Sequence, residues 1–310
     1  MKKTLISGIV LVVVGLILAA FGVGHDGLQG VYWDNGVRVD ARTDKTQSLK
    51  GIQTIVVNST DYYNVSIKRG DTAQLKVRAS KSHPITTTFK NHELTVDGAA
   101  NAKAIFGGTF TNTDPSVQIT IPKSVRLKRV TNQGSSSLSV NDVVVDELKG
   151  VAGSGDISLT DVTLKKPLSI ASDSYVDVTL DRVKAPSLSF TGSLDVTVRR
   201  STFEDQASRI KTTYGDVTLS ENQWQALTVT GQSGDLNFEN ERVKDGLTAT
   251  LDSGDIDGQI AKNQRNLVTT STQDGDISVY GHGQSSFGRP RHQNIHYRLK
   301  TNSGDITIQE

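Results

Sequence analysis

Cysteine is missing from all 310 residues, and its absence excludes a disulfide framework, a thiolate metal site and a lipidated cysteine. An excess of one charge is missing too. With 34 basic against 33 acidic residues and a net charge of +1, the chain has no global field to draw nucleic acid or an acidic polymer, so a nucleic-acid partner is not expected. Catalytic signatures are also absent: there is no Gly-x-Ser-x-Gly, no phosphate loop and no His-Glu-x-x-His. Helical periodicity is lacking everywhere after the first 24 residues.

What is present is a short phrase built on Ser-Gly-Asp-Ile. Aligned on its Asp it recurs at Asp156, Asp177, Asp195, Asp216, Asp235, Asp255, Asp276 and Asp305, and Ser137 holds the equivalent place in an earlier copy. The steps are 19, 21, 18, 21, 19, 20, 21 and 29 residues, which is the period of a stacked repeat. Each copy reads apolar-x-apolar, small polar residues, Gly-Asp, then apolar-x-apolar, as in 227–229 leading to 234–238. Alternation with period two puts Ile157 with Leu159, and Val217 with Leu219, on one inward face. Runs this short are not stable hairpins, but they suit the sides of a solenoid whose rungs pair above and below. The expected fold is therefore all-β: a parallel β-helix (β-solenoid) of about nine rungs of about 20 residues, preceded by a β region that caps it and by one transmembrane helix.

The turns have a physical reason. Gly155, Gly215, Gly234, Gly254, Gly275 and Gly304 can take positive φ without steric cost, and Asp156, Asp216, Asp235, Asp255, Asp276 and Asp305 can accept backbone N–H groups. Stacked carboxylates about 4.8 Å apart repel one another, so either turn N–H groups or a cation must relieve them. Backbone capping is the simpler account. The best calcium candidate is the trio Asp252, Asp255 and Asp257. Between the inward residues lie Ser139, Ser158, Thr179, Thr197, Thr218, Asn237, Asp257, Ser278 and Thr307, an expected outward polar strip.

The segment 4–24 carries no charge and, at 1.5 Å per residue, spans roughly 31 Å as a helix, enough for a bilayer. Lys2 and Lys3 precede it and the next Lys or Arg is Arg38, so residues 1–3 are expected in the cytoplasm and the rest outside. A cleaved signal peptide is the alternative, but the apolar run is long for one. Residues 25–48 read as a polar linker. Residues 49–129 read as the N-terminal β region, with strands at 52–57, 63–67, 74–78, 93–96 and 117–121 and a loop at 98–116. Residues 130–310 form the repeats. Their last strand would leave an open edge near Glu310 that invites self-association.

The long interval holds an insertion, 281–292, rich in Gly, Arg and His. His282, Arg289, Arg291 and His292, with His296 just beyond, are a candidate basic patch for a cell-wall glycan, a lipid headgroup or an envelope protein. A zinc reading of the three histidines lacks any carboxylate or cysteine of matching spacing.

The segment Tyr63-Asn64-Val65-Ser66-Ile67, the segment Val117-Gln118-Ile119-Thr120-Ile121-Pro122 and the Gly-Asp-apolar phrases at 155, 215, 234, 254, 275 and 304 resemble the candidate adhesin domain of bacterial membrane proteins, a domain of unknown function. The resemblance covers about 52–308, and it implies a β-solenoid, of which some occur in Gram-positive envelope-stress systems of the Lia type. No catalytic residues are carried over. Asp177 and Asp195, which lack the preceding Gly, and the insertion after Tyr280 depart from the pattern. The expected role is a non-catalytic adhesion, binding or stress-sensing module; a glycan-cleaving β-helix enzyme and a passive scaffold are the alternatives.

Overall fold

The structure, a computed structural model, describes residues 8, 11–17, 31–59, 62–98, 105–106, 115–153, 155–290 and 294–310. A middle rung shows the build. Its first side is the strand Leu227–Ser233, its second Leu236–Glu239 and its third the two-residue strand Arg242–Val243. Leu227 and Val229 are buried while Thr228 and Thr230 face outward, as alternation requires. Each side pairs in parallel and in register with the rungs on either side: Ile210, Val229, Ala249 and Leu299 stand in one inward column. The core is thus a stack of apolar columns, and among the described residues no strand set closes into a barrel. On the third side Phe203, Trp224 and Val243 align, and the rings of Phe203 and Trp224 stack with centroids 4.8 Å apart, the natural distance between neighbouring strands.

In six rungs the corner after the second side is built without glycine. Asp142, Asp161, Arg182, Arg200, Glu221 and Asn240 occupy it with φ between 48° and 59°, and the backbone ladder runs around the bend, as in the Glu221 N–H donating to the Glu239 carbonyl at 3.0 Å. Left-handed backbone costs a non-glycine residue about 1 kcal/mol; the bond to the next rung helps offset it. Charge then decorates this corner, where Arg182 bonds Asp161 at 2.6 and 2.8 Å and Arg200 reaches Asp181 at 2.6 Å.

Both ends depart from sequence order. At the N-terminal end, Thr54–Ser59 and Asn64–Arg69 are a full rung, with Val130 opposite Ile55 and Ser137 opposite Asn64. Outside it stack Glu93–Asp97 and Ser116–Ile121, also parallel. With these, eleven strands line the second side among the described residues rather than the nine read from the Gly-Asp phrase. Antiparallel strands close this end: Thr86–Lys90, Gln74–Ser80 and Arg42–Ser48. The expected linker 25–48 is therefore corrected, since Arg42–Ser48 is a paired strand and Val31–Trp33 pairs with Val37–Val39 and Ile105–Phe106. Arg42–Ser48 reads as a linker because nearly all its residues are polar and exposed, which is also how an outermost strand is protected from pairing with other chains.

At the other end, Ile306–Gln309 lies between Ile256–Gln259 and Ile277–Val279, and Ile295–Ser303 between Gly246–Ser253 and Asn266–Ser271. The expected open edge near Glu310 is thus corrected, because the last strand is paired on both flanks. The edge belongs to the earlier segment. There the insertion contributes Ser286–Phe287, antiparallel to Asn266–Ser271, and Phe287 packs edge-on against Tyr280 at 4.8 Å between centroids.

Of the expected anchor, Gly8 and 11–17 are described and helical; the remainder lies outside the described residues. Among the described residues no helix is long and apolar enough to cross a membrane.

Candidate functional site

The Gly-Asp corner joins side one to side two, and its chemistry is shared between rungs. Gly254 has φ +130°, and a Cβ there would lie 2.1 Å from the Gly234 carbonyl oxygen. Gly234, Gly275 and Gly304 meet the same obstacle at 2.1–2.3 Å. Each Asp then accepts the N–H of the Asp on the next rung: Asp195 from Asp216 at 2.7 Å, Asp216 from Asp235 at 2.8 Å, Asp235 from Asp255 at 2.8 Å, Asp255 from Asp305 at 2.7 Å and Asp305 from Asp276 at 2.7 Å. Asp156 accepts from Asp177 at 3.2 Å, and the Asp156 N–H donates to the Ser137 hydroxyl at 3.2 Å. The chain of bonds follows space, not sequence, passing from 255 to 305 before 276. Where glycine is missing, the ladder is more strained electrically: burial first, then the Asp156 and Asp195 carboxylates, push Asp177 up. The exposed Tyr175 hydroxyl donates to Asp195 and is pushed up to about 12, first by that bond and then by burial.

The calcium trio does not converge. Asp252 accepts from the Asn302 amide at 3.3 Å, Asp255 from the Asp305 N–H, and Asp257 stands on the outer face of side two between Asn237 and Thr307. Among the described residues no three His, Asp or Glu side chains are arranged to hold a metal ion. The reason is geometric: the turn and the pleat send the three side chains in different directions.

The described residues of the candidate basic patch stand at different places on the solenoid. His282 forms a tight backbone bridge with Val279 beyond side two, Arg289 is exposed with its carbonyl accepting from Asn294 at 3.1 Å, and His296 sits on side one beside Arg298, 3.3 Å away. Arg291 and His292 lie outside the described residues. The expected polar strip does form, with Ser139, Ser158, Thr179, Thr197, Thr218, Asn237, Asp257, Thr307 and Ser278 in one spatial row. Side two is acidic: Asp181, Glu239 and Asp257 face outward with Arg199, and the Asp ladder edges it. A shallow groove of about 780 Å³ runs there past Arg199, Ser220, Glu239, Asp257, Gln259 and Gln309.

Side one is different. Two outward residues from each of seven stacked rungs give Ser169 and Ala171, Ser189 and Thr191, Arg209 and Lys211, Thr228 and Thr230, Thr248 and Thr250, Arg298 and Lys300, then Thr269 and Ser271. None is acidic. Arg209, Lys211, Arg298 and Lys300 are exposed, and among the described residues none of the four pairs with a carboxylate. By contrast, Arg129, Lys149 and Lys166 converge on Glu147 at 3.2, 3.2 and 3.4 Å. Sequence reading missed this face because the cations lie in the less regular half of each repeat; the signal was the flanking of single apolar residues in Arg209-Ile210-Lys211 and Arg298-Leu299-Lys300.

A notch of about 850 Å³ interrupts side three beyond Arg242–Val243, where the 261–266 segment and Tyr297 replace the short strands. At its rim Glu241 accepts from the Trp224 indole and from the Asn222 side chain at 3.0 Å. Burial pushes this carboxyl up to about 7 against the pull of those donors.

Residues 52–309 match the family described as Toastrack DUF4097. The chain belongs to that family, a β-solenoid-like class of unknown function. Its fold is similar to that of a candidate adhesin from Bacteroides fragilis, at 14% identity over 86% of this chain and 97% of that one, with a TM-score of 0.47. A candidate adhesin from Parabacteroides distasonis is similar at 13% identity, over 86% and 97%, with a TM-score of 0.43, and one from Parabacteroides merdae at 14% identity, over 87% and 96%, with a TM-score of 0.35. No curated protein matches the chain.

Proposed function

We propose that the chain is a non-catalytic binding module of the cell envelope, tethered by residues 4–24 with its N-terminus in the cytoplasm and its solenoid outside, serving adhesion or the sensing of envelope stress. One observation carries the reading: the most regularly placed carboxylates of the protein are engaged in backbone hydrogen bonds between rungs, so the repeat supplies rigidity rather than reacting groups, and what it offers a partner is long, flat, in-register faces. The uncharged 4–24 run behind Lys2 and Lys3 supports the tether.

Two measurements test it. Protease added outside intact cells is expected to digest the solenoid, and the full chain in nanodiscs is expected to retain material from an envelope fraction without altering it. Protection of the solenoid from external protease would overturn the placement, and release of shortened glycan products would overturn the non-catalytic reading.

A further inference from the structure

The solenoid's near-neutral total conceals a separation of charge by face, and the separation has a geometry. Arg209 and Lys211 share one strand, two residues apart; Arg298 and Lys300 share another; two strands, bearing Thr228, Thr230, Thr248 and Thr250, lie between them. Neighbouring strands are about 4.8 Å apart and residues two apart on a strand about 7 Å apart, so the four cations mark the corners of a rectangle of roughly 7 by 14 Å with two threonines along each long edge. The rungs beyond each short edge continue the hydroxyls with Ser189, Thr191, Thr269 and Ser271.

Leaving these like charges on one flat face without a paired carboxylate is unfavourable for the isolated protein, since Arg209 and Lys211, and likewise Arg298 and Lys300, stand about 7 Å apart on one strand and repel. On other parts of the solenoid Arg129, Lys166, Arg182 and Arg200 each meet a carboxylate from an adjacent rung. Here the two outward columns supply none over seven stacked rungs; the nearest acids on these strands, Asp173 and Asp252, stand one outward position further on, towards the Gly-Asp corner, and Asp252 accepts from the Asn302 amide. The face is also too long for a single small anion to touch all four cations. Arg209 and Arg298 each present a planar fork that matches a carboxylate, while Lys211 and Lys300 add compact charge. The hydroxyls between them both donate and accept, which suits sugar hydroxyls, whereas a plain phosphate chain offers acceptors alone. Resting on the reading of the chain as an envelope binding module, we propose that side one, from Ser189 to Ser271 in spatial order, is the docking face for an extended acidic polysaccharide, its carboxylates held by Arg209, Lys211, Arg298 and Lys300 and its hydroxyls by Thr228, Thr230, Thr248 and Thr250. The polymer lies across the strands, along the solenoid axis, where the repeat of the protein sets the spacing of contacts.

The experiment uses the full chain in uncharged nanodiscs with polygalacturonate, dextran and polyphosphate as probes. Polygalacturonate is expected to bind and dextran not to bind, and binding is expected to weaken as salt rises from about 50 to about 200 mM, as it does when cations displace condensed counterions. The variant R209Q/K211Q/R298Q/K300Q is expected to lose at least about tenfold in affinity. The charge-matched control K165Q/K184Q/R242Q/K244Q, all on side three, should bind as the parent does. T228V/T248V should weaken polygalacturonate and leave polyphosphate unchanged. Equal losses in the two charge variants, or polyphosphate binding as tightly as polygalacturonate whatever stands at 228 and 248, would overturn the assignment. Retention of an envelope fraction by the parent and the side-one variant alike would overturn the docking face while leaving the module reading intact; no retention of any envelope fraction by the parent would remove the module reading itself. All four substituted residues are exposed, so unchanged melting of the variant separates lost recognition from lost fold.

Discussion

Replacing Gly254 by Ala tests the stacking directly. The new Cβ would sit 2.1 Å from the Gly234 carbonyl oxygen and 2.7 Å from its carbon, and both belong to backbone that cannot swing aside. Positive φ of +130° adds a strain of about 1–3 kcal/mol for a residue with a side chain. Relief requires the rung to move away from its neighbours, weakening the Gly254 N–H bond to Ser303 at 2.9 Å and the Asp255 N–H bond to Asp235 at 2.8 Å, each worth about 1 kcal/mol net. The expected destabilisation is about 4 kcal/mol. Gly281 is the control: its φ is +75° and nothing lies within 4 Å of its would-be Cβ, so Gly281→Ala should cost about 1 kcal/mol through the backbone alone. Chemical denaturation can be followed by the fluorescence of buried Trp224, with exposed Trp33 as a steady background. Amide exchange at Asp255 and Asp305 reports whether the loss is local. A difference below about 0.5 kcal/mol between the two variants would refute the claim that contact between rungs, rather than φ, makes these glycines necessary.

Asp235→Ala should expose the Asp255 amide to faster exchange, while Asp235→Asn keeps an acceptor and should change it little; equal behaviour of the two would mean that the ladder bond contributes nothing. Glu241 is raised from 4.5 to about 7 in the folded state, so folding favours its protonated form; stability is fully present below the unfolded value and is lost as pH rises through about 7, by up to about 3 kcal/mol. Denaturation at about pH 5 and about pH 8 should show that loss, and Glu241→Gln should flatten it; an unchanged slope in the variant would assign it to other groups. Phe287→Asp should detach the Ser286–Phe287 strand and open the Asn266–Ser271 edge to other copies. Light scattering should then reveal concentration-dependent association, and a strictly monomeric variant would mean that the insertion does not guard that edge.

The repeat was legible because turn chemistry leaves few options: a corner with a neighbouring carbonyl 2.1 Å from the would-be Cβ must be glycine, and a carboxylate one residue later is what binds the next rung. Where those constraints relax, so does the signal. The rung at Asn64 has no Gly-Asp, yet it stands opposite Ser137 in the same ladder. The Asp142 to Asn240 corner uses six non-glycine residues at positive φ, and no composition rule marks it. The exchange of the 276 and 305 rungs was hidden because their phrases are nearly identical and pairing does not depend on sequence order. The docking face escaped notice for another reason: a net charge of +1 averages over faces that the fold separates, and Asp181, Glu239 and Asp257 on side two mask the cations of side one. The calcium trio failed because closeness along a bent strand is not closeness in space.

Placing Ile306–Gln309 between Ile256–Gln259 and Ile277–Val279 has a consequence for how the molecule is made. A solenoid can usually zip from one end, each rung laid on a finished one. Here 266–279 has no finished surface to land on until thirty further residues have arrived. A chain delivered N-terminus first must hold the Gly246–Gln259 edge open until residues 295–309 have been made, then receive two segments in reverse order. The late strand acts as a keystone: its withdrawal frees the strands on both flanks together, so this end should open as one cooperative block rather than fray rung by rung.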